Sequence, residues 1–341
     1  MNIYEDTLTL VVTIDPHRIG LDKLCPQSEL RIGRWKILIN PKGAVEAEFW
    51  IVFGNARPKD QIKIGPENTM LVVLEPNSKK VYPKKYYRQF EKLVDTHTES
   101  GHPNVVLCAP RFCWHVGLKL EDDCYTLGYK ELSHLDCPKD RKNKISVICS
   151  DAMRTEGQRE RLLFLDGLKK QLGDRIDHYG RGFQPIDDKM DGILGYRLHL
   201  ALENCRAKHY WSEKLIDSYL GWAFAVYVGC PNILDYFPKN SVDLIDSMDP
   251  IRASDMILER LEQPTSEAEL AGLNKGRDLV LNQYNPFNCW ASWAEMYFQK
   301  DCQKTWFTIE CHKAFRPYLQ GALFRLRNIG NQTTGLNLRG K

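Results

Sequence analysis

The chain has 341 residues, 43% apolar content and a formal net charge of +3. That length supports a large core and more than one domain, while so small a charge does not by itself imply a nucleic-acid or membrane surface. Eleven cysteines stand singly with no Cys-x-x-Cys, which speaks against a zinc ribbon or a complete disulfide framework and fits a reducing compartment.

The amino terminus, MNIYEDTLTLVVTIDPHR, carries Glu5 and Asp6 and lacks the apolar core of a signal peptide. No run of about 18 apolar residues marks a membrane span, so a soluble, cytoplasmic protein is expected. Residues 8–14, 47–54 and 70–74 read as buried strands, the last ending at Glu75-Pro76. The spacing of Tyr87, Phe90, Leu93 and Val94 predicts a helix over 84–94, and 105–107 reads as a further strand. This alternation predicts an α/β domain over 1–137. The charged stretch PKDRKNK, 138–144, reads as a linker.

A second unit follows, with a strand at 145–149, a helix at 159–172 stopped by Gly173, and a strand at 176–179 ending in Gly180-Arg181-Gly182. Strand 197–202, helix 212–220 and strand 224–228 continue the order. A helix begins near Pro250, and further helices complete a domain over 145–327. Residues 328–341 lack apolar anchoring and are expected to fray. Two α/β units on a short linker place the carboxyl ends of two sheets across a cleft.

The segment LALENCRAKHYWSEK, 200–214, concentrates the chemistry. Glu203 and Asn204 fall at the carboxyl end of a strand, and Ser212 can cap a helix that begins Glu213-Lys214. A lysine in a first helical turn opposes the macrodipole preference, which makes sense if an anion sits before it. These residues point to a site for a phosphorylated ligand. The chain contains no Asp-x-Asp, and Asp122-Asp123 and Asp187-Asp188 lie in polar stretches that read as solvated loops. Fixed cations rather than a metal are therefore favoured as the neutralising charge.

LALENCRAKHYWSEK followed by AVYVGCPN resembles the signature of the α1,3/α1,4-fucosyltransferase family: Glu-Asn-Ser, a tyrosine, Glu-Lys, then Val-Tyr-x-Gly-x-Pro. The matching positions are Glu203, Asn204, Cys205, Tyr210, Glu213, Lys214, Val226, Tyr227, Gly229 and Pro231. The similarity extends to SVICSDAMRTEGQRERLLFLDGLKK, HYGRGF and PKNSVDLID, covering about 145–250 well and the amino-terminal half faintly. The resemblance implies a GT-B fold, two Rossmann-like domains facing a cleft, the first binding the acceptor and the second the nucleotide sugar. It implies a metal-independent, inverting transfer of fucose from GDP-fucose to a glycan hydroxyl. Golgi members of that family carry a membrane anchor, so this chain would be a bacterial-type or trimmed form.

By the same resemblance Arg161 and Lys214 would receive the leaving diphosphate, with Arg159 two residues from the first. Glu213 would accept from the ribose hydroxyls, and Asn204 and Tyr210 would lie near phosphate or nucleoside. Cys205 departs from the family's serine. Arg181 either faces the donor or is an exposed turn residue. Glu75, after an amino-terminal strand, loosely matches the family's catalytic glutamate and is the favoured base, with His115 in reserve. Phe112, Trp114 and Tyr125 form either a sugar-stacking floor or core. The basic run Lys79, Lys80, Lys84, Lys85, Arg88 and Lys92 reads as a solvated face, or as contact with an anionic acceptor such as a glycolipid at a membrane surface. The rivals are a GT-B transferase using another nucleotide sugar, a non-catalytic sugar- or nucleotide-binding module, and, weakest, a nucleic-acid binder.

Overall fold

The structure is a computed structural model and describes residues 7–57 and 60–315. The expected fray over 328–341, with the end of the helical stretch up to 327, lies outside the described residues.

The first unit is built from β1 (Leu8–Ile14), β2 (Arg31–Ile32), β3 (Trp35–Ile39), β4 (Phe49–Phe53), β5 (Asp60–Ile64), β6 (Thr69–Val72), α1 (Lys84–Tyr87), β7 (Lys92–Asp95) and β8 (Val105–Leu107). Seven of these strands form one sheet in the order β2-β3-β1-β4-β6-β7-β8. It is parallel except for β2, which pairs antiparallel with β3 at the edge. Leu10, Val11, Val12, Ile51, Val52 and Leu71 are fully buried, because a parallel sheet is covered on both faces. Each such side chain stabilises the fold by about 1.5–3 kcal/mol.

The 84–94 helix is a correction. Only one turn, α1, is helical, and 92–95 is instead strand β7, paired parallel with β6 and β8. The aromatic spacing serves a packed turn: Tyr82 stacks on Tyr86 at 5.0 Å, and the Tyr86 hydroxyl accepts from Ala56 N at 3.1 Å. Leu93 and Val94 then fill an interior strand.

The hairpin β9 (Leu118–Lys119) and β10 (Cys124–Tyr125) and helix α2 (Tyr129–Ser133) lead to the second unit. It contains β11 (Lys142–Ile148), α3 (Glu156–Leu172), β12 (Ile176–Tyr179), β13 (Tyr196–Leu202), α4 (Glu213–Leu220), β14 (Phe224–Val228) and β15 (Val242–Leu244). The sheet order is β12-β11-β13-β14-β15, all parallel, so the direction of progression reverses between β11 and β13. Crevices outside the carboxyl ends of such a switch point are where open α/β sheets bind ligands. Strand β11 starts at Lys142, so the last three residues of the 138–144 linker belong to the sheet.

Helices α5 (Pro250–Glu262) and α6 (Glu267–Asp278) pack on the second unit, but the chain then returns to the first. Helix α7 (Pro286–Tyr297) lies against β2 and β4, with Trp290 edge-on to Phe53 at 5.2 Å. Glu295 on α7 accepts from Arg34 and from the Trp35 indole N–H at 2.8 Å. Strand β16 (Thr305–Ile309) pairs antiparallel with β5. The carboxyl-terminal segment thus straps the two units together rather than completing the second. All eleven cysteines are free.

Candidate functional site

Strand β13 delivers Glu203 and Asn204 to the crevice. Glu203 is 3% exposed, and Ser212 folds back onto it, donating from its backbone N–H and its hydroxyl at 2.8 Å. The same Ser212 is the N-cap of α4, accepting from Lys214 N. Glu203 therefore closes the loop 204–211 onto the start of α4. A β-carbon on Gly229 would meet the Glu203 side chain at 2.6 Å, so the turn after β14 must pass here without one. Burial pushes the Glu203 carboxyl up, and the Lys214 charge opposes it.

Lys214 Nζ lies 3.0 Å from Glu213 Oε1, 3.1 Å from Ser212 Oγ and 3.5 Å from Glu203 Oε2. Burial works to lower its pKa, but Glu213 and Glu203 raise it, so the ammonium stays charged. Burial likewise works to raise Glu213, yet Lys214 and Lys189 hold it well below the usual carboxylate range. Lys189 Nζ is 3.7 Å from Glu213 and 2.9 Å from Asp217. Several charges of both signs share one low-dielectric corner, the condition under which fixed charges act strongly on a ligand.

Arg161, on the second turn of α3, is 5% exposed. Its Nη1 donates to Leu202 O at 3.4 Å, and its buried Nε has no partner. Its charge reaches Lys214, whose pKa it works to lower. The Asn204 Oδ1 atom is also buried without a partner. A cavity of about 380 Å³ opens here, lined by Thr155, Gly157 and Gln158 at the α3 amino terminus, by Asn204, and by Pro76 and Lys79 of the first unit. Cys205 lines the same cavity. Arg159 lies exposed on α3 and donates to Met153 O at 3.3 Å. Arg181 is 76% exposed and 3.7 Å from Asp151, on the solvent side of its turn.

Tyr210 is 5% exposed. Burial first, and then the charges of Glu203, Glu213 and Glu75, push its hydroxyl upward, so it remains a donor. Glu75 thus lies within electrostatic reach of the second unit's loop. It stands three residues past the end of β6, one-third exposed, accepting from Lys79 at 2.7 Å. His115 sits on the segment after β8. Burial and then the Lys189 charge hold its imidazole well below the usual range, so it is neutral near pH 7. Leu74, Phe112, Tyr125, Asp15, Arg18 and His115 surround a pocket of about 110 Å³ at the carboxyl ends of the first sheet. Trp114 and Tyr125, 1% and 0% exposed, are core, Tyr125 also forming part of the pocket wall, whereas Phe112 is half-buried and lines the pocket. Lys84, Lys85 and Arg88 are exposed, as is Val81 at 70%.

Asp187 and Asp188 are a second correction. Asp187 does lie exposed in its loop, where it accepts from Glu121 N at 3.1 Å, but Asp188 is half-buried and accepts from Gly117 N at 2.9 Å, so the pair ties the units together. Lys189 and Asp217 went unread in the sequence because a lysine in a polar stretch and an acid on an amphipathic helix carry no local signal. Among the described residues, no group of three or more His, Cys, Asp or Glu is placed to hold a metal ion, and no helix is long and apolar enough to cross a membrane.

No protein-family model matches the chain. Among solved structures it is similar to an α1,3-fucosyltransferase crystallised with GDP, at 16% identity over 87% of this chain and 91% of that one, with a TM-score of 0.51. It is also similar to a crystal structure of α1,3-fucosyltransferase at 16% identity, covering 86% and 90%, with a TM-score of 0.50. At such identity the likeness is one of fold: two Rossmann-like units facing a cleft, the GT-B arrangement.

Proposed function

We propose that the protein is an inverting glycosyltransferase that moves fucose from GDP-fucose to a hydroxyl of a glycan acceptor. The observation that carries this reading is buried Arg161, its Nε unpartnered, within electrostatic reach of charged Lys214 at the sheet switch point, beside a cavity that Pro76 and Lys79 of the first unit also line. The 17-residue helix α3 adds its amino-terminal N–H groups to that positive field. The family-like segment around Glu203 and Lys214 supports GDP-fucose as donor, with Glu213 accepting from the ribose and Asn204 and Tyr210 lying near phosphate or nucleoside.

In the reaction the acceptor oxygen bonds to the anomeric carbon from the face opposite the diphosphate. The bond from that carbon to the β-phosphate oxygen breaks, and its electron pair leaves with GDP. Glu75 takes the hydroxyl proton, and Arg161 and Lys214 stabilise the charge that develops on GDP. The 110 Å³ pocket beside Leu74 and His115 supports an acceptor-side subsite. Exposed Lys84, Lys85 and Arg88 beside Val81 suit an acceptor presented at an anionic, glycolipid-bearing surface.

GDP and UDP release measured over a panel of GDP- and UDP-sugars, with and without chelator, tests the reading. Selective turnover of GDP-fucose that survives chelation is expected. Preference for another nucleotide sugar would retain the transferase and replace its donor, and tight GDP binding without transfer would favour a binding module.

A further inference from the structure

Lys189 opens the short 3-10 turn Lys189–Gly192, which Asp188 caps by accepting from Met190 N at 2.8 Å. The side chain is 14% exposed and reaches into the second unit's charged corner. Its ammonium lies 2.9 Å from Asp217 Oδ2 and 3.7 Å from Glu213 Oε1. Asp217, 1% exposed, uses its other oxygen to accept from His115 N at 2.7 Å and Val116 N at 3.2 Å. Residues 187–189 and Asp217 thus hold residues 115–121 of the first unit, and His115 with them, against the corner that contains Glu213 and Lys214.

Resting on the GDP-donor reading above, we propose that Lys189 is a positioning residue: it orients Glu213 for the nucleoside, leaves Lys214 available to the diphosphate, and through Asp217 fixes the His115 segment across the cleft. The charge balance explains why two lysines are needed. Lys214 already faces both Glu203 and Glu213. With Lys189 absent, Lys214 would be the only ammonium beside two carboxylates and would be drawn inward, away from an incoming phosphate. Asp217 would also be left as a buried acid without its counterion, an arrangement that strongly destabilises a fold.

The groups facing Glu213 are Lys214 and Asp217 on α4, Glu203 at the end of β13, Tyr210 on the loop that follows it, Lys189 on its turn and His115 on the first unit's segment. Removing the Lys189 charge raises the carboxyl of Glu213. Binding that needs the ionised carboxylate then fails at a higher pH on acidification.

The test is GDP affinity as a function of pH in the Lys189→Met/Asp217→Asn double variant, which removes the buried pair as a unit, beside Lys189→Arg. A folded double variant that binds GDP about 10-fold more weakly at pH 7 is expected, the scale of one charge-assisted contact. Its acid limb should move to higher pH, and Lys189→Arg should recover most of the affinity. Should the double variant fail to fold, Lys189→Gln, which can still donate to Asp217, is read in the same way. Wild-type affinity with an unmoved acid limb in a folded variant overturns the role of Lys189 and leaves the donor reading standing. Absence of GDP binding by the wild-type protein overturns the donor reading and this inference together.

Discussion

The α-carbon of Gly157 faces the backbone oxygen of Asn204 so closely that any β-carbon at 157 would overlap it. Helix α3 therefore docks its first turn directly on the loop that follows β13. That contact gathers the helix amino terminus, Arg161 and Asn204 into one crevice, and it depends on a backbone atom that cannot swing aside.

Gly157→Ala should push α3 away from Asn204. Overpacking of this kind destabilises by about 1–3 kcal/mol, and GDP affinity should fall on the order of 10-fold through the displaced Arg161. Thermal unfolding and calorimetric GDP titration measure the two effects. An unaltered GDP affinity would mean that the α3 terminus does not contribute to the site.

Lys214→Ala should lower turnover on the order of 10²–10³-fold, the scale of removing one preorganised charge stabiliser. Lys214→Arg, which keeps the charge, should lose less. Single-turnover rates with GDP-fucose check this, and an unchanged rate in the alanine variant removes the lysine from the mechanism.

Glu75→Gln should lower the rate of transfer by about 10²–10⁴-fold while GDP binds as before, because the base acts on the acceptor and not on the nucleotide. If the variant keeps its rate, His115→Gln is the next to measure. Its neutral ring lines the 110 Å³ pocket beside Leu74.

Stability should fall on mild acidification. His199 is buried with its Nδ1 2.8 Å from Ser146 Oγ, and burial holds its imidazole down at about 3, against 6.5 in the unfolded chain. A base with a depressed folded-state pKa contributes stability that is present above 6.5 and is lost as the pH falls toward 3. His115 is shifted in the same direction. Denaturant midpoints between pH 7 and 5 should show the loss, and His199→Gln should flatten the slope by up to about 1.4 kcal/mol per pH unit. A variant with the wild-type slope would show that His199 is not the titrating group.

Legibility in the sequence followed the physical character of each element. Strands β8 and β14 were readable to the residue, because continuous apolar runs between turn residues have few other uses, and β1 and β12 matched to the residue despite polar positions within them. Helix α4 was readable from its Ser212 cap and amphipathic spacing. The 84–94 stretch misled because aromatic residues at helical spacing also suit a stacked tyrosine turn that leads into a strand. The return of α7 and β16 to the first unit could not be read. An apolar face reports that a helix is covered, but not by which sheet. In the site, Glu203 and Lys214 stood out through local order and spacing, whereas Lys189, Asp217 and the 115–121 segment meet only through the fold.

A crystal structure of the protein with GDP is the decisive observation for the fixed-cation site. The diphosphate oxygens are expected within hydrogen-bonding distance of Lys214 Nζ and the Arg161 guanidinium, before the amino terminus of α3, with the ribose against Glu213. GDP bound elsewhere, or at this crevice with both cations turned away from its phosphates, would contradict the proposed mechanism.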